Sequence, residues 1–204
     1  NAGSSSLKFG LFALDDGAPL PVATGLVERI GSAEAAISAK RADGAPLKPL
    51  DDAAPRAIAD HGTALDSALD LLAPAMPADG IAAVGHRVVH GGPDLDAPVR
   101  LTPERLTELD RLSPFAPLHQ PHNLAGARAA MARFPGAVQV ACFDTAFHRN
   151  HPWENDTFAL PREYYAKGVR RYGFHGLSYA YIADPLAETA PLIHAGRVVV
   201  AHLG

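Results

Sequence analysis

The run Ala137-Val138-Gln139-Val140-Ala141-Cys142-Phe143 decides the fold. It is short and apolar but for Gln139, the pattern of a strand covered on both sides by helices, and it exits into the polar pair Asp144-Thr145. Before it, residues 121–133 read as a helix. Thr102-Pro103 offers an N-cap and a first helical position for another, carrying Leu106, Leu109 and Leu112 and closed by Pro114. Further upstream, Ile81 to Val89 reads as a strand leading into the loop His90-Gly91-Gly92-Pro93. The spacing of Ile58, Leu65, Leu69 and Leu72 predicts an amphipathic helix from about Pro55 to Leu72, ended by Pro74 and Pro77. Leu7 to Ala13 and Pro21 to Ile30, joined at Asp15-Asp16-Gly17, form an opening β-hairpin. After Trp153 the pattern is irregular until Gly173-Phe174-His175-Gly176. Leu177 to about Ala183 then reads as helical, with Pro185 as a kink or stop, and the β-branched run from Arg197 reads as a strand. Strands alternating with helices imply an α/β fold without internal repeats.

With 204 residues, 48 % of them hydrophobic, the chain has material for a core, and 18 Gly with 18 Pro fall short of a low-complexity composition. A formal charge of −4 argues against nucleic acid as a partner. Cys142, the single cysteine, has no internal partner and reads as a small buried side chain, which suits a reducing, cytoplasmic location. No apolar run reaches the length of a membrane span and no export signal opens the chain, so no membrane partner is expected. Both ends look cut: residue 1 is Asn rather than Met, and the last run stops at Gly204 where a strand should meet a loop. The chain therefore reads as a piece of a longer one.

Polar clusters stand at the ends of the apolar strands: Asn1 to Ser6, His86 to Gly92 and Asp144. In open α/β sheets ligands collect there, so these loops are the natural lining of one site. Neither a Walker A sequence nor GxGxxG is present. Asn1-Ala2-Gly3-Ser4-Ser5-Ser6, followed by Lys8, has the small and hydroxyl residues that let backbone N–H groups approach phosphate, although a Ser-rich turn by itself is more often a plain hairpin entry. The pairs His86/His90, His119/His122 and His148/His151 raise a metal-hydrolase reading. However, they lie on strands or proline-broken loops, where the spacing does not put two imidazoles on one helical face.

Taken together and in order, NAGSSSLKF, GHRVVHGG, APLHQPHNL, FDTAFH, YGFHGLSY and VVVAHLG closely resemble the acetate kinase family over the whole chain. The resemblance implies a ribonuclease-H-like, actin-like ATPase core of order βββαβαβα, as the N-terminal domain of a two-domain kinase that binds nucleotide between its domains. Residues 1–195 would be that domain and 196–204 the truncated start of the second. By position, Asn1 matches a residue that helps hold Mg²⁺ and Lys8 one assigned to the phosphates of ATP or ADP. Arg87 matches the residue that binds the carboxylate, while Val89, Leu118 and Phe174 match the pocket for the methyl group. His119 and Asp144 match active-site polar residues, and His175 matches the histidine that stabilises the transferring phosphoryl. His202, Leu203 and Gly204 match the start of a phosphate-binding loop. The resemblance also implies a homodimer.

Where the family often reads HGTSH, this chain has His175-Gly176-Leu177-Ser178-Tyr179. A second active-site arginine, a Mg²⁺-linked glutamate and most of the adenosine pocket belong to the family's C-terminal half. The residues agree chemically with the implied roles. Arg87 offers a planar fork that matches a carboxylate bidentately. Acetate, with a carboxylate pKa near the reference of about 4.3 for Glu, is already ionised at neutral pH, so no base is needed. Asp144 is then expected to position Mg²⁺ or its water and to orient Arg87, with catalysis left to alignment and electrostatics. The reading is reversible transfer of the ATP γ-phosphoryl to acetate. Its rivals are a propionate or butyrate kinase and a non-catalytic nucleotide-binding module of the same fold.

Overall fold

The computed structural model describes residues 1–14, 19–48, 57–77 and 80–203. β1 (Ser6–Ala13) pairs antiparallel with β2 (Leu20–Glu28), Leu7 opposite Val27, with a register shift between Leu11 and Phe12. Leu7, Leu11, Ala23 and Val27 are buried, as alternation along a half-covered hairpin requires. The expected turn at Asp15-Asp16-Gly17 lies outside the described residues. A third strand, which the residue pattern does not locate, β3 (Ala36–Arg41), pairs antiparallel with β2. AISAKR carries one β-branched residue, Ile37, so β2's hydrogen-bonding edge, rather than intrinsic propensity, makes it a strand.

α1 (His61–Leu72) follows. The expected start near Pro55 is outside the described residues, and Ile58 is buried ahead of the helix rather than in it. Asp60 sets the first turn: its Oδ1 accepts from Thr63 N at 2.8 Å, and Thr63 Oγ1 accepts from Asp60 N at 3.0 Å, a reciprocal capping box. The helix tightens at Pro74 into a 3₁₀ turn over Ala73–Ala75.

β4 (Ala83–Val88) and β6 (Val138–Phe143) run parallel, Arg87 opposite Cys142 and Val88 opposite Phe143. Both strands therefore deliver their carboxyl ends to the same edge. β5 (Val99–Arg100), too short to show a pattern, pairs antiparallel with the other side of β6. α2 (Pro103–Asp110) opens at Thr102, whose Oγ1 accepts from Arg105 N at 3.2 Å. α3 (Gln120–Arg133) joins α2 over the sheet, so that Leu106, Leu109, Leu124 and Ala127 pack on Val88, Ala141 and Phe143. β6 is fully covered on that face alone: Gln139, Ala141 and Phe143 are buried, Val140 and Cys142 are half-buried, and Val138 is exposed. The expected second layer is not present among the described residues: α6 (Gly176–Thr189) reaches the strand with its start, at the strand's end, where Gly176 N donates to Asp144 O at 2.8 Å.

Beyond β6, α4 (Trp153–Asp156) and α5 (Arg162–Ala166) are single turns. α6 runs through Pro185 instead of stopping there; that stretch is exposed, so the carbonyl left without a donor faces water. α7 (Pro191–His194) follows. The run expected as a strand from Arg197 is not one. No strand among the described residues pairs with it, and Val199 and Leu203 are exposed. In order, β1, β2, β3, α1, β4, α3, β6 and α6 give the expected βββαβαβα, with β5 and α2 inserted before α3 and α4 and α5 before α6. The strands form two sheets, β1-β2-β3 and β4-β6-β5.

Candidate active site

The parallel pair β4 and β6 brings Arg87 beside Asp144. Arg87 Nε donates to Asp144 Oδ1 at 3.0 Å and Nη2 to Oδ2 at 2.5 Å, a bidentate pair in which Asp144 is 1 % and Arg87 28 % exposed. Arg87 Nη1 also donates to Asn1 Oδ1 at 3.2 Å. Three of the five guanidinium N–H groups are thus engaged and two remain. Asn1 is placed by the Ser-rich turn, which folds back so that Gly3 N donates to Ser6 O at 2.8 Å and Lys8 N to Asn1 O at 2.9 Å. Lys8 itself is exposed.

The chain leaves β4 through a loop whose four successive N–H groups are all taken by side chains. Val89 N donates to Asn123 Oδ1 at 2.9 Å, His90 N to Gln120 Oε1 at 3.1 Å, Gly91 N to Thr145 Oγ1 at 3.0 Å and Gly92 N to His90 Nδ1 at 2.9 Å. Gln120 Nε2 returns a bond to His90 O at 3.0 Å. Gly92 has φ +73°, a left-handed turn that a side chain would strain. Because Nδ1 of His90 accepts, its proton sits on Nε2. Burial, aided by the charge of Arg149, pushes its pKa below the ordinary value. The ring lies 4.5 Å from Tyr172 and 5.8 Å from Phe174, which joins the β4 loop to the Gly173-Phe174-His175 segment.

His175 caps α6 at φ 58°, one of two non-glycine residues with positive φ among those described. Its neighbours hold it there. His148 Nε2 donates to Phe174 O at 2.9 Å, and Gly176 N is bonded to Asp144 O. A Cβ at Gly176 would stand 2.4 Å from Asp144 O and 2.6 Å from Phe147 Cβ, so only glycine lets the two segments approach. The His175 ring lies 4.4 Å from that of His202, and His202 Nδ1 is 3.1 Å from Ser178 Oγ.

The fold thus joins Asn1, Arg87 and Asp144 directly, brings His175 to them through Gly176, and adds His202 to His175. Val89 is buried at the loop and Phe174 half-buried beyond His90. Leu118 is 72 % exposed and His119 exposed; among the described residues no hydrogen bond or ring contact joins them to Arg87, Asp144 or His175. Leu203 is exposed, and Gly204 lies outside the described residues. Sequence reading passed over Asn123, Gln120 and Thr145, which are almost wholly buried. A signal was present: Gln120 and Asn123 are three apart in one helix and so share a face, and buried amides need partners. The histidine pairs divide among separate tasks, His86 bonding Gln139, His122 stacking on His61 and His151 facing Asp156. No three His, Cys, Asp or Glu come together as a metal cluster among the described residues.

The acetokinase family model matches residues 1–204. An acetate kinase of Methylocella silvestris is 50 % identical over all of this chain and 52 % of its own length. The crystal structure of Porphyromonas gingivalis acetate kinase matches 92 % of the chain and 47 % of its own, with TM-score 0.78 and 35 % identity. That of a propionate kinase from Francisella tularensis has the same coverage, with TM-score 0.79 and 30 % identity. The chain spans about half the length of the relatives it matches. The α/β architecture is thus that of an actin-like ATPase N-terminal domain, and the chain belongs to the acetokinase family.

Proposed function

We propose that the full-length protein transfers the γ-phosphoryl group of ATP to acetate, reversibly, giving acetyl phosphate and ADP. The observation that carries this reading is the bidentate Arg87–Asp144 pair at the shared ends of β4 and β6. Asp144 fixes one edge of the guanidinium, and the two N–H groups left over present a planar positive fork to a substrate carboxylate. The carboxylate is already ionised, so Asp144 serves as the positioner of Arg87 rather than as a base. Val89, two residues after Arg87, and Phe174, against the His90 ring, receive the acyl tail, and Leu118 closes that pocket when its exposed side chain moves inward. His175 stabilises the transferring phosphoryl as charge develops on it, with His119 as a further polar contact. Lys8 faces the nucleotide phosphates, and His202, Leu203 and Gly204 begin the loop that holds them.

For Mg²⁺, the oxygen donors beside Arg87 are Asn1 Oδ1 and the Asp144 carboxylate, and both already accept from the guanidinium. This donor set fits an ion that keeps several waters and takes its remaining ligands from phosphates, as Mg²⁺ does, with Asn1 and Asp144 at its hydration shell. Bound there, it would supply neutralisation of the phosphate oxygens. Residues 1–195 act as the N-terminal domain and 196–204 open the second, in a cytoplasmic homodimer. None of the described helices is long and apolar enough to cross a membrane. Propionate is the second reading, because a solved structure that the chain matches is that of a propionate kinase.

The test is trapping of acyl phosphate with hydroxylamine, using the full-length protein, MgATP and acetate, propionate or butyrate. Acetate-dependent hydroxamate is the expected result. Nucleotide binding without carboxylate-dependent product would favour a non-catalytic module.

A further inference from the structure

We infer that Asn123 is a positioning residue that ties the N-terminal Ser-rich turn to the acyl-binding end of β4, and that this tie sets the turn for the nucleotide phosphates. The inference rests on the phosphoryl-transfer reading above. Asn123 lies on the buried face of α3 with 2 % exposure, and its one amide serves two segments. Oδ1 accepts from Val89 N at 2.9 Å, while Nδ2 donates to the carbonyl oxygen of Ala2. The amide's orientation is unambiguous, since Val89 N can only donate and Ala2 O can only accept.

A second tie runs parallel to it. Arg87 Nη1 bonds Asn1 Oδ1, so Asn1-Ala2 is held to β4 at both residues, once from a side chain of the strand and once through α3. Together, Arg87, Asn1, Ala2, Asn123, Val89 and the intervening Val88 form a closed circuit of covalent and hydrogen-bonded links. Gln120, one turn earlier on the same face, holds His90 and Leu109 O and makes no such link to the turn. Gln120 thus anchors the loop, whereas Asn123, alone among the described residues, couples the loop to the turn.

The side chain is specified by its two partners. Leu would leave the buried Val89 N and Ala2 O without bonds. Asp would keep the acceptor for Val89 N but set a carboxylate against the Ala2 carbonyl, releasing the turn while sparing the loop. Asn123→Asp in the full-length enzyme therefore separates the two functions.

The expected result is a KM for MgATP raised roughly tenfold or more, a KM for acetate within about threefold of wild type, and wild-type circular dichroism. Equal rises in both KM values, or no change in either, would overturn the inference, since a merely structural amide lowers stability without separating the substrates. If the Asp variant does not fold, Asn123→Ser, which cannot span both partners, is read by the KM for MgATP alone. In it both ties are lost, and an unchanged KM for MgATP overturns the inference. Failure of the functional reading is distinct, because wild-type enzyme would then give no acyl phosphate at all.

Discussion

Asp144 is almost wholly enclosed, and both of its oxygens face Arg87. Removing one partner of such a pair leaves an uncompensated buried charge, typically a cost of about 3–5 kcal/mol. Arg87→Ala would therefore confound catalysis with stability. Arg87→Lys is the sharper variant, since it keeps a cation beside Asp144 and loses the planar fork. In the full-length enzyme we expect kcat/KM for acetate to fall by an amount on the order of 1.5–3 kcal/mol, with kcat/KM for MgATP falling clearly less. Steady-state kinetics with each substrate varied in turn decide it. Equal losses for both substrates would make Arg87 a structural residue. The arginine and aspartate were legible as candidates from their motifs, but their bonds were not: positions 87 and 144 meet only because β4 and β6 pair in parallel and in one register.

At the level of elements, the Thr102 start of α2 and the Leu72 and Arg133 ends of α1 and α3 were legible, whereas the Asp60 cap of α1 was not, the helix being expected from about Pro55. Thr102 accepts from the N–H group it caps through a local rule that needs no tertiary information. Pro185 shows the converse, because a proline stops a helix only where the lost bond cannot be replaced, and here water is at hand. The approach of α6 to β6 depends on a residue that looks ordinary in sequence. Gly176→Ala places a methyl group 2.4 Å from a backbone oxygen that cannot rotate away. Overpacking of this kind usually costs about 1–3 kcal/mol. We expect a lowered urea midpoint together with loss of the His175 geometry, seen as reduced kcat; a variant with wild-type stability would show that α6 can slide away from Asp144 freely.

At the scale of the whole molecule, histidines couple stability to pH, His86 and His90 among them. Burial pushes His86 and His90 below the ordinary histidine pKa; the bond of His86 to Gln139 opposes this shift, and Arg149 reinforces that of His90. The unfolded chain, with histidines near about 6.5, then binds more protons than the native chain in mild acid. Their contribution is present above that pH and is lost as the pH falls toward the depressed native values. The urea midpoint should drop between pH 7.5 and 5.5, and drop less in His86→Gln; a midpoint flat over that range would contradict the burial argument. By itself the sequence determined the α/β class, the order of the main elements and the family, because periodicity, capping residues and ordered motifs are local properties. Only the tertiary structure decided that AISAKR is a strand, that β6 has one fully covered face, and that the run from Arg197 pairs with no strand among the described residues. It also selected Asn123, Gln120 and Thr145 as the partners of the β4 loop. These depend on which hydrogen-bonding edge or buried donor another segment presents, and that neighbour is fixed in space rather than in sequence.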